Sequence, residues 1–326
     1  MSADETALHL PAQDIPVPQS LSPQAQAYLG AAATRIAAMS RQPAAPQSQD
    51  AAAAAALQFL RPLAAHFKGT SETIALPHGA KLYRVVPEGR AGRVLELAYF
   101  DIHGGGFTSG GGEMCEVLAK LRASEYGVQV FAVDYRLAPE HPFPAGLDDC
   151  IAAYREVLKL VQPANLVVAG ASAGGNLAAA LLLRARDEGL PLPAALLLPT
   201  PALDMTRAGD TYRTNRLLDV NLHGGAADGP QAYAASHDPK DPYLSPLFGD
   251  FAKGWPPTLL TSGTRDLLLS DTVRMHRALR RAGIEAELHV SEASPHGGFM
   301  GANAPEDAKI MAECRRFVRR AWKLED

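Results

Sequence analysis

The feature that most constrains the fold is an alternation of short apolar runs with helical segments, which extends from about Lys81 to the C-terminus. Such an alternation predicts a mostly parallel sheet with helices on both faces, and KLYRVV is expected at its edge. The predicted strands are KLYRVV (81–86), VLELAYFDI (94–102), VQVFAVDY (128–135), NLVVAG (165–170), AALLLP (194–199), PTLLTSG (257–263) and AELHVSE (286–292). The predicted helices are at 113–126, 145–160, 175–188, 269–282 and 305–322.

Two parts of the chain depart from this alternation. The first residues, up to about 57, are rich in Ala, Pro, Gln and Ser, and a helix is predicted from Leu21 to Met39, ended by Pro43 and Pro46. Residues 204–255 carry Gly, Pro, Asp and His without a clear strand, so we expect them to lie over the carboxyl edge of the sheet. The expected domains are an N-terminal segment at 1–70, a core of 71–203 and 256–326, and this excursion at 204–255.

Composition and charge exclude several classes of protein. A net charge of −4 argues against nucleic acid or an anionic membrane as partner. No apolar run is long enough to predict a membrane span, and the first residues lack the pattern of a secretory signal. The cysteines are odd in number and far apart, which favours free thiols over a metal site. We therefore expect a cytoplasmic protein.

The stretch GASAGG (170–175) contains the pattern G-x-S-x-G centred on Ser172, and this pattern occurs once in the chain. A predicted strand precedes the stretch and a predicted helix follows it, which is the context in which such a serine is held exposed on a tight turn. Small neighbours at Gly170 and Gly174 allow the turn to close. The start of the helix also places the N–H of Ala173 near the hydroxyl. A helix-capping serine is the alternative, but the context favours a nucleophile.

A glycine-rich stretch, IHGGGFTSGGG, follows a predicted buried strand. It fits neither a dinucleotide-binding fingerprint nor a Walker A motif in any register. A loop of successive glycines at a strand end can aim several backbone N–H groups at one point, which is the requirement of an oxyanion hole. In this interpretation His103 anchors the loop by hydrogen bonds and is not a base, and a glycine turn with a hydrogen-bonded histidine is the alternative.

A serine nucleophile needs a base and an acid, and with a nucleophile on this kind of turn these follow in the order acid, then histidine. His296 lies in a loop just after the last predicted strand, so it can reach the carboxyl edge of the sheet. Asp266 directly follows the strand PTLLTSG and is the predicted acid. Asp271 is explained by capping of a helix start, and Glu292 lies too close to His296 in sequence. The other histidines beyond the serine are His223, His237, His276 and His289.

The chain resembles the hormone-sensitive-lipase-like carboxylesterases, also called bacterial family IV, of the α/β-hydrolase fold. The resemblance covers about residues 80–322 and is carried by HGGGF (103–107), DYRLAPEHPFPAGLDD (134–149), GASAGG (170–175), the turn at Asp266 and PHGGF (295–299). Two departures stand out. Ala171 is found where the family commonly has Asp, and His296 is followed by one more glycine than usual.

The resemblance implies a catalytic triad of Ser172, Asp266 and His296. It also implies that the N–H groups of Gly105, Gly106 and Ala173 form the oxyanion hole, with His103 and Gly104 as supporting residues. The N-terminal segment and the 204–255 excursion would then form a helical cap over the site. A serine carboxylesterase acting on short-to-medium acyl esters, without cofactor or metal and able to form a homodimer, is expected. A lactone hydrolase or amidase uses the same machinery, and a non-catalytic ligand-binding member of the fold is the third alternative.

Overall fold

The computed structural model describes residues 11–41, 49–224 and 229–324, and within these ranges eight strands form a single sheet. The order of the strands is β1-β2-β4-β3-β5-β6-β7-β8. Their bounds are β1 Gly69–Ala75, β2 Lys81–Pro87, β3 Ala98–Ile102, β4 Gln129–Asp134, β5 Leu166–Gly170, β6 Ala195–Pro199, β7 Thr258–Gly263 and β8 Ala286–Ser291.

Strands β1, β2 and β4 pair antiparallel, whereas β4, β3, β5, β6, β7 and β8 pair parallel. The prediction that KLYRVV lies at an edge is wrong, because β1 pairs outside it along Gly69–Ala75. Strand β1 was not predicted from the sequence. Most of its residues are exposed, so the chain there lacks the apolar alternation that marks a half-buried strand. The mostly parallel sheet itself is confirmed.

The α-helices found in the described ranges cover both faces of the sheet. Helices α4, α5 and α8 contribute to one large apolar cluster, and α3 and α9 to the cluster on the opposite face. The helix bounds are α1 Pro23–Arg41, α2 Gln49–Ala64, α3 Glu113–Tyr126, α4 Ala145–Leu160, α5 Ala173–Asp187, α6 Thr211–Thr214, α7 Gly229–Ala234, α8 Leu269–Arg281 and α9 Pro305–Ala321. Short 3-10 helices occupy Pro77–Gly79, Gly92–Glu96, Pro163–Asn165, Pro246–Phe248 and Phe251–Lys253.

The N-terminal part contains one expected and one unexpected helix. Helix α1 corresponds to the helix predicted from Leu21 to Met39, and its predicted end at Pro43 and Pro46 lies outside the described residues. Helix α2 is not predicted, because its alanine-rich first half has no larger apolar residues that recur at helical spacing. Helix α1 packs in a third, smaller apolar cluster that contains residues on both sides of His296. This placement brings the N-terminal part next to the predicted base.

The excursion at 204–255 contains α6, α7 and two 3-10 helices, and no strand occurs in its described part. Gly229 at the start of α7 approaches the carbonyl of Gly106, since a Cβ added there would lie 2.3 Å from that oxygen. The ring of Tyr233 in α7 stacks on Phe107 with centroids 4.1 Å apart. The excursion therefore rests on the glycine-rich loop, while its role and the domain boundaries stay predictions. No described helix combines the length and the apolar character that crossing a membrane requires.

Candidate active site

Ser172 lies on the turn between β5 and α5, with φ 56° and ψ −121°. A non-glycine residue at positive φ is strained by about 1–3 kcal/mol, and such a backbone persists only where the surroundings impose it. They do so here, because a Cβ at Gly170 would lie 2.2 Å from the carbonyl oxygen of Gly174, and one at Gly174 would lie 2.0 Å from that of Ile102. The two glycines allow the turn to close, as the sequence predicts. The turn presents the Ser172 hydroxyl at the carboxyl edge of the sheet.

His296 lies in the loop after β8, and its side chain joins two of the predicted residues. Its Nε2 accepts a hydrogen bond from the Ser172 hydroxyl at 2.9 Å, and its Nδ1–H donates to Oδ1 of Asp266 at 3.1 Å. His296 is 9% exposed and Asp266 is fully buried. Because Nδ1 carries the proton, Nε2 is unprotonated. This is the tautomer that can take a proton from the Ser172 hydroxyl.

The charge around His296 opposes the effect of its burial. Burial alone lowers the pKa of His296, but the carboxylate of Asp266, by its charge and by its hydrogen bond, raises that pKa above the ordinary value. The charge of Asp219 acts in the same direction. The imidazolium is therefore stabilised where it would form, and this is the property a general base needs during proton transfer.

Asp266 is held by two further donors besides His296. Its Oδ1 accepts from the N–H of Leu268 at 2.9 Å, and its Oδ2 accepts from the hydroxyl of Ser262 at 2.6 Å. All three hydrogen bonds lie in a buried environment, so the carboxylate has a single well-defined orientation.

The interpretation of Asp271 as a helix-capping residue is wrong. Its buried carboxylate instead accepts from the N–H groups of Leu203 and Asp204 and from the hydroxyl of Tyr212. Burial raises the pKa of Asp271 to about 7. Asp271 therefore ties the first turn of α8 to the chain that follows β6, and it does not contact His296.

The glycine-rich loop faces Ser172 across the sheet edge. A Cβ at Gly104 would lie 3.4 Å from that of Ser172, and Gly105 adopts φ +116°, a conformation open to glycine. Within the described ranges, the N–H groups of Gly105, Gly106 and Ala173 have no hydrogen-bond acceptor. Ala173 is also the first residue of α5, where the free N–H groups and the helix dipole favour negative charge.

His103 lies at the start of the glycine-rich loop and is hydrogen-bonded within it. Its Nδ1–H donates to the carbonyl of Gly104 at 2.8 Å, and its ring stacks on Tyr135 with centroids 4.2 Å apart. The Tyr135 hydroxyl donates to the carbonyl of His103. Burial lowers the pKa of His103, so the ring stays neutral and serves to hold the loop.

Three residues near the site were not found from the sequence. Ser262 could have been, because it is the next-to-last residue of β7, four residues before Asp266, and so lies at the same edge of the sheet. Asp219 and Asn221 contact the Asp266 and His296 turns from the excursion, across 48 to 77 residues of sequence. No local pattern marks them. In the described part of the chain, no group of three or more His, Cys, Asp or Glu side chains is arranged to hold a metal ion.

Comparisons with known proteins agree with this architecture. A family model described as an alpha/beta hydrolase fold matches residues 99–300. An esterase of Acinetobacter venetianus is 34% identical over 224 residues, which are 67% of this chain and 73% of the relative. The solved structure of an esterase, E25, is similar with a TM-score of 0.82 and 32% identity, covering 96% of this chain and 98% of that one. A structure described as an esterase from the bacterial hormone-sensitive lipase family gives a TM-score of 0.77 at 27% identity, with 93% and 100% covered.

Proposed function

Because the chain belongs to the bacterial hormone-sensitive-lipase-like family of the α/β-hydrolase fold, we propose that Ser172, His296 and Asp266 form a catalytic triad that hydrolyses carboxylic esters. The chain is a carboxylic ester hydrolase, the class to which its esterase relatives belong. One observation carries the assignment of the residues. It is the unbroken path of hydrogen bonds from the Ser172 hydroxyl through the His296 ring to the buried carboxylate of Asp266.

In the acylation step the Ser172 oxygen bonds to the ester carbonyl carbon while its proton passes to Nε2 of His296. The carbonyl oxygen becomes an oxyanion as the π bond opens. When the tetrahedral intermediate collapses, the bond to the alkoxy oxygen breaks, and Nε2 returns the proton to the leaving alcohol. Water then attacks the acyl-enzyme by the same route, and the carboxylic acid leaves with Ser172 restored. Asp266 keeps its charge throughout and stabilises the imidazolium.

We assign the oxyanion hole to the N–H groups of Gly105, Gly106 and Ala173. Two observations support this assignment. These N–H groups lack an acceptor in the described ranges, and they lie on the two segments that flank the Ser172 hydroxyl, the glycine-rich loop and the start of α5. Donors that are already oriented need no rearrangement when charge develops on the carbonyl oxygen. Loss of one such donor typically costs about 3 kcal/mol of transition-state stabilisation.

The proposed substrates are short-to-medium acyl esters, with helix α1 and the 204–255 excursion as the cap. Support comes from the packing of the excursion on the glycine-rich loop, where Gly229 contacts Gly106 and Tyr233 stacks on Phe107. We expect a cap that rests directly on this loop to limit the room for a long acyl chain.

The test compares p-nitrophenyl esters of increasing acyl length, a caprolactone and an anilide, with the Ser172→Ala protein as control. We expect ester turnover that falls with acyl length and is lost in Ser172→Ala, while thermal unfolding is unchanged. Faster turnover of the lactone or anilide would reassign the substrate class on the same triad. An organophosphonate should add covalently to Ser172, and label on another serine in mass spectrometry would refute the nucleophile.

A further inference from the structure

The loop that carries His296 is packed in part against the N-terminal helix α1. Leu21, Ala25 and Leu29 of α1 form an apolar cluster with Ala293, Phe299 and Ala304, which lie on both sides of His296 in sequence. This cluster is separate from the two that cover the faces of the sheet. Helix α1 therefore contributes to the position of the loop.

The backbone of this loop is intrinsically free to rotate just after the histidine. Gly297 and Gly298 follow His296 and adopt φ 73° and 84°. Two successive glycines lose more conformational entropy on ordering than any other pair, so a contact that fixes them has to offset that loss. A general base must also be held within about 0.5 Å of its productive position. The loop therefore needs an external constraint.

The side chain of Asn221 supplies one such constraint, and the carboxylate of Asp307, which accepts from the N–H of Phe299 at 3.1 Å, supplies another. The amide nitrogen of Asn221 donates to the carbonyl of His296 at 2.7 Å and to that of Gly298 at 3.1 Å, so it bridges the glycine segment. Its amide oxygen accepts from the hydroxyl of Tyr28 in α1 at 2.6 Å. The two carbonyls and the hydroxyl fix the orientation of the amide, because only one arrangement satisfies all of them.

Asp219, two residues earlier, holds the other side of the same loop. Its buried carboxylate accepts from the N–H of His296 at 3.3 Å and from that of Leu267, the residue after Asp266, at 2.8 Å. It also accepts from the N–H of Asn221 at 2.9 Å. The acid turn, the base turn and the Asn221 backbone are thus joined through one carboxylate.

We propose that Asn221, supported by Tyr28 of α1, is a positioning residue that holds the His296 loop in register with Ser172, so that docking of α1 sets the rate of acylation. The inference rests on the proposed function, because it acts through the base of the triad. It assigns to the N-terminal helix a part in the chemical step besides any contact with substrate.

The experiment measures kcat and KM for p-nitrophenyl butyrate, together with the rate at which an organophosphonate labels Ser172, in Asn221→Ala and Tyr28→Phe. Asn221→Ala should lower kcat and the labelling rate by ~10- to 100-fold, because a displacement of the base by about 1 Å has that effect. KM should change by less than about twofold, since no substrate contact is removed. Tyr28→Phe should lower kcat in the same direction by ~2- to 5-fold, because it removes only the hydroxyl that orients the amide.

The double variant tests whether the two residues act as one unit. Tyr28→Phe should add nothing to Asn221→Ala, because its hydroxyl acts through the amide that is already absent. The matched control is Tyr243→Phe, which removes a hydroxyl hydrogen bond of 2.9 Å to Asp187, also from the excursion but away from His296. It should leave kcat and labelling at the wild-type values.

Three outcomes would overturn the positioning role: wild-type kcat in Asn221→Ala, a rise of KM alone, or a lower melting temperature with kcat unchanged in the folded protein. If Asn221→Ala does not fold, Tyr28→Phe decides, because its ring keeps the contact with Phe299 at a centroid distance of 5.9 Å. Wild-type protein without ester turnover or labelling would refute the proposed function, and the inference with it. Wild-type turnover with unaffected variants would refute the inference alone.

Discussion

Replacing Asp266 by Asn tests the electrostatic part of the proposed mechanism. The carboxylate accepts at Oδ1 from His296 and Leu268 and at Oδ2 from the hydroxyl of Ser262. An asparagine can keep its oxygen on the two N–H donors and turn its amide nitrogen toward Ser262, whose hydroxyl can rotate to accept. The positions of the ring and its tautomer are then retained, and the change removes mainly the negative charge.

The expected loss follows from the geometry of the pair. The Nδ1 and Oδ1 atoms are 3.1 Å apart, so the centres of the two charges are about 4 Å apart. At an effective dielectric constant of ~20 this separation corresponds to about 4 kcal/mol of attraction for the imidazolium. Since 1.36 kcal/mol is about tenfold in rate, kcat should fall roughly a thousandfold.

The pH dependence supplies an independent readout of the same charge. Asp266 and Asp219 are the carboxylates that raise the pKa of His296, against the lowering by burial. His296 must be neutral to act as base, so kcat/KM rises with pH through this pKa. In Asp266→Asn burial is opposed by Asp219 alone, and the acidic limb should move to lower pH. In the wild type, protonated His296 stabilises the fold below its ordinary pKa of 6.5, and this stabilisation is lost as pH rises through the raised pKa. This contribution should be smaller in Asp266→Asn.

The assay is kcat/KM for a p-nitrophenyl ester between about pH 5 and 9, with folding followed by circular dichroism. Asp271→Asn is the matched control, because it changes a buried carboxylate at the start of α8 that does not contact His296. Its acidic limb should stay at the wild-type position. A loss in Asp266→Asn of less than about tenfold, with the limb unmoved, would refute the role of Asp266 as partner of the base.

Three further outcomes concern stability. Gly174→Ala should lower the free energy of unfolding in urea by about 3 kcal/mol or more, because the added Cβ would lie 2.0 Å from the carbonyl oxygen of Ile102; full stability would mean that the turn can open. The contribution of Asp271 to the free energy of unfolding should fall as pH rises from about 4 to 7, since its pKa in the folded protein is about 7 and its ordinary pKa is 3.8. When urea denaturation is measured at several pH values, Asp271→Asn should make the free energy of unfolding depend less on pH over this range. Asp149→Ala should lower the free energy of unfolding in urea by about 1–3 kcal/mol, because it leaves the partly buried guanidinium of Arg136 without its bidentate partner; an unchanged midpoint would contradict this.

Much of the fold follows from the sequence because each central element obeys one simple periodicity. Strands β3 to β7 are almost entirely buried, and β8 alternates apolar with polar residues. The helices between them present one apolar stripe, so both kinds of element are visible in short windows. Strand β1 has no such pattern, since it lies outside β2 with most residues exposed. Helix α2 is rich in alanine, which favours helix but gives no amphipathic stripe over most of its length. Elements at the margin of the structure are therefore the ones that local patterns miss.

The predicted site residues could be found from the sequence for a related reason. Ser172, Asp266 and His296 each follow a strand, and parallel strands bring their carboxyl ends to one edge, so chain order was enough to place them together. Asp219 and Asn221 belong to an excursion whose path depends on packing against α1 and the His296 loop. A polar residue in such a segment has no sequence partner at a fixed spacing. Only the folded chain reveals that it contacts the site.

The proposed nucleophile and the proposed base are held by different kinds of force. Ser172 keeps a strained backbone because backbone atoms at Gly170, Gly174 and Ile102 leave no room for another arrangement. His296, in contrast, precedes two glycines and depends on hydrogen bonds to Asn221 and Asp219, which come from a part of the chain outside the sheet. Steric confinement in a packed core is lost only with the core itself, whereas a hydrogen-bonded loop can be released by a local change. The geometry of the proposed triad is therefore set at its least constrained member, the histidine, by the segments that pack around it.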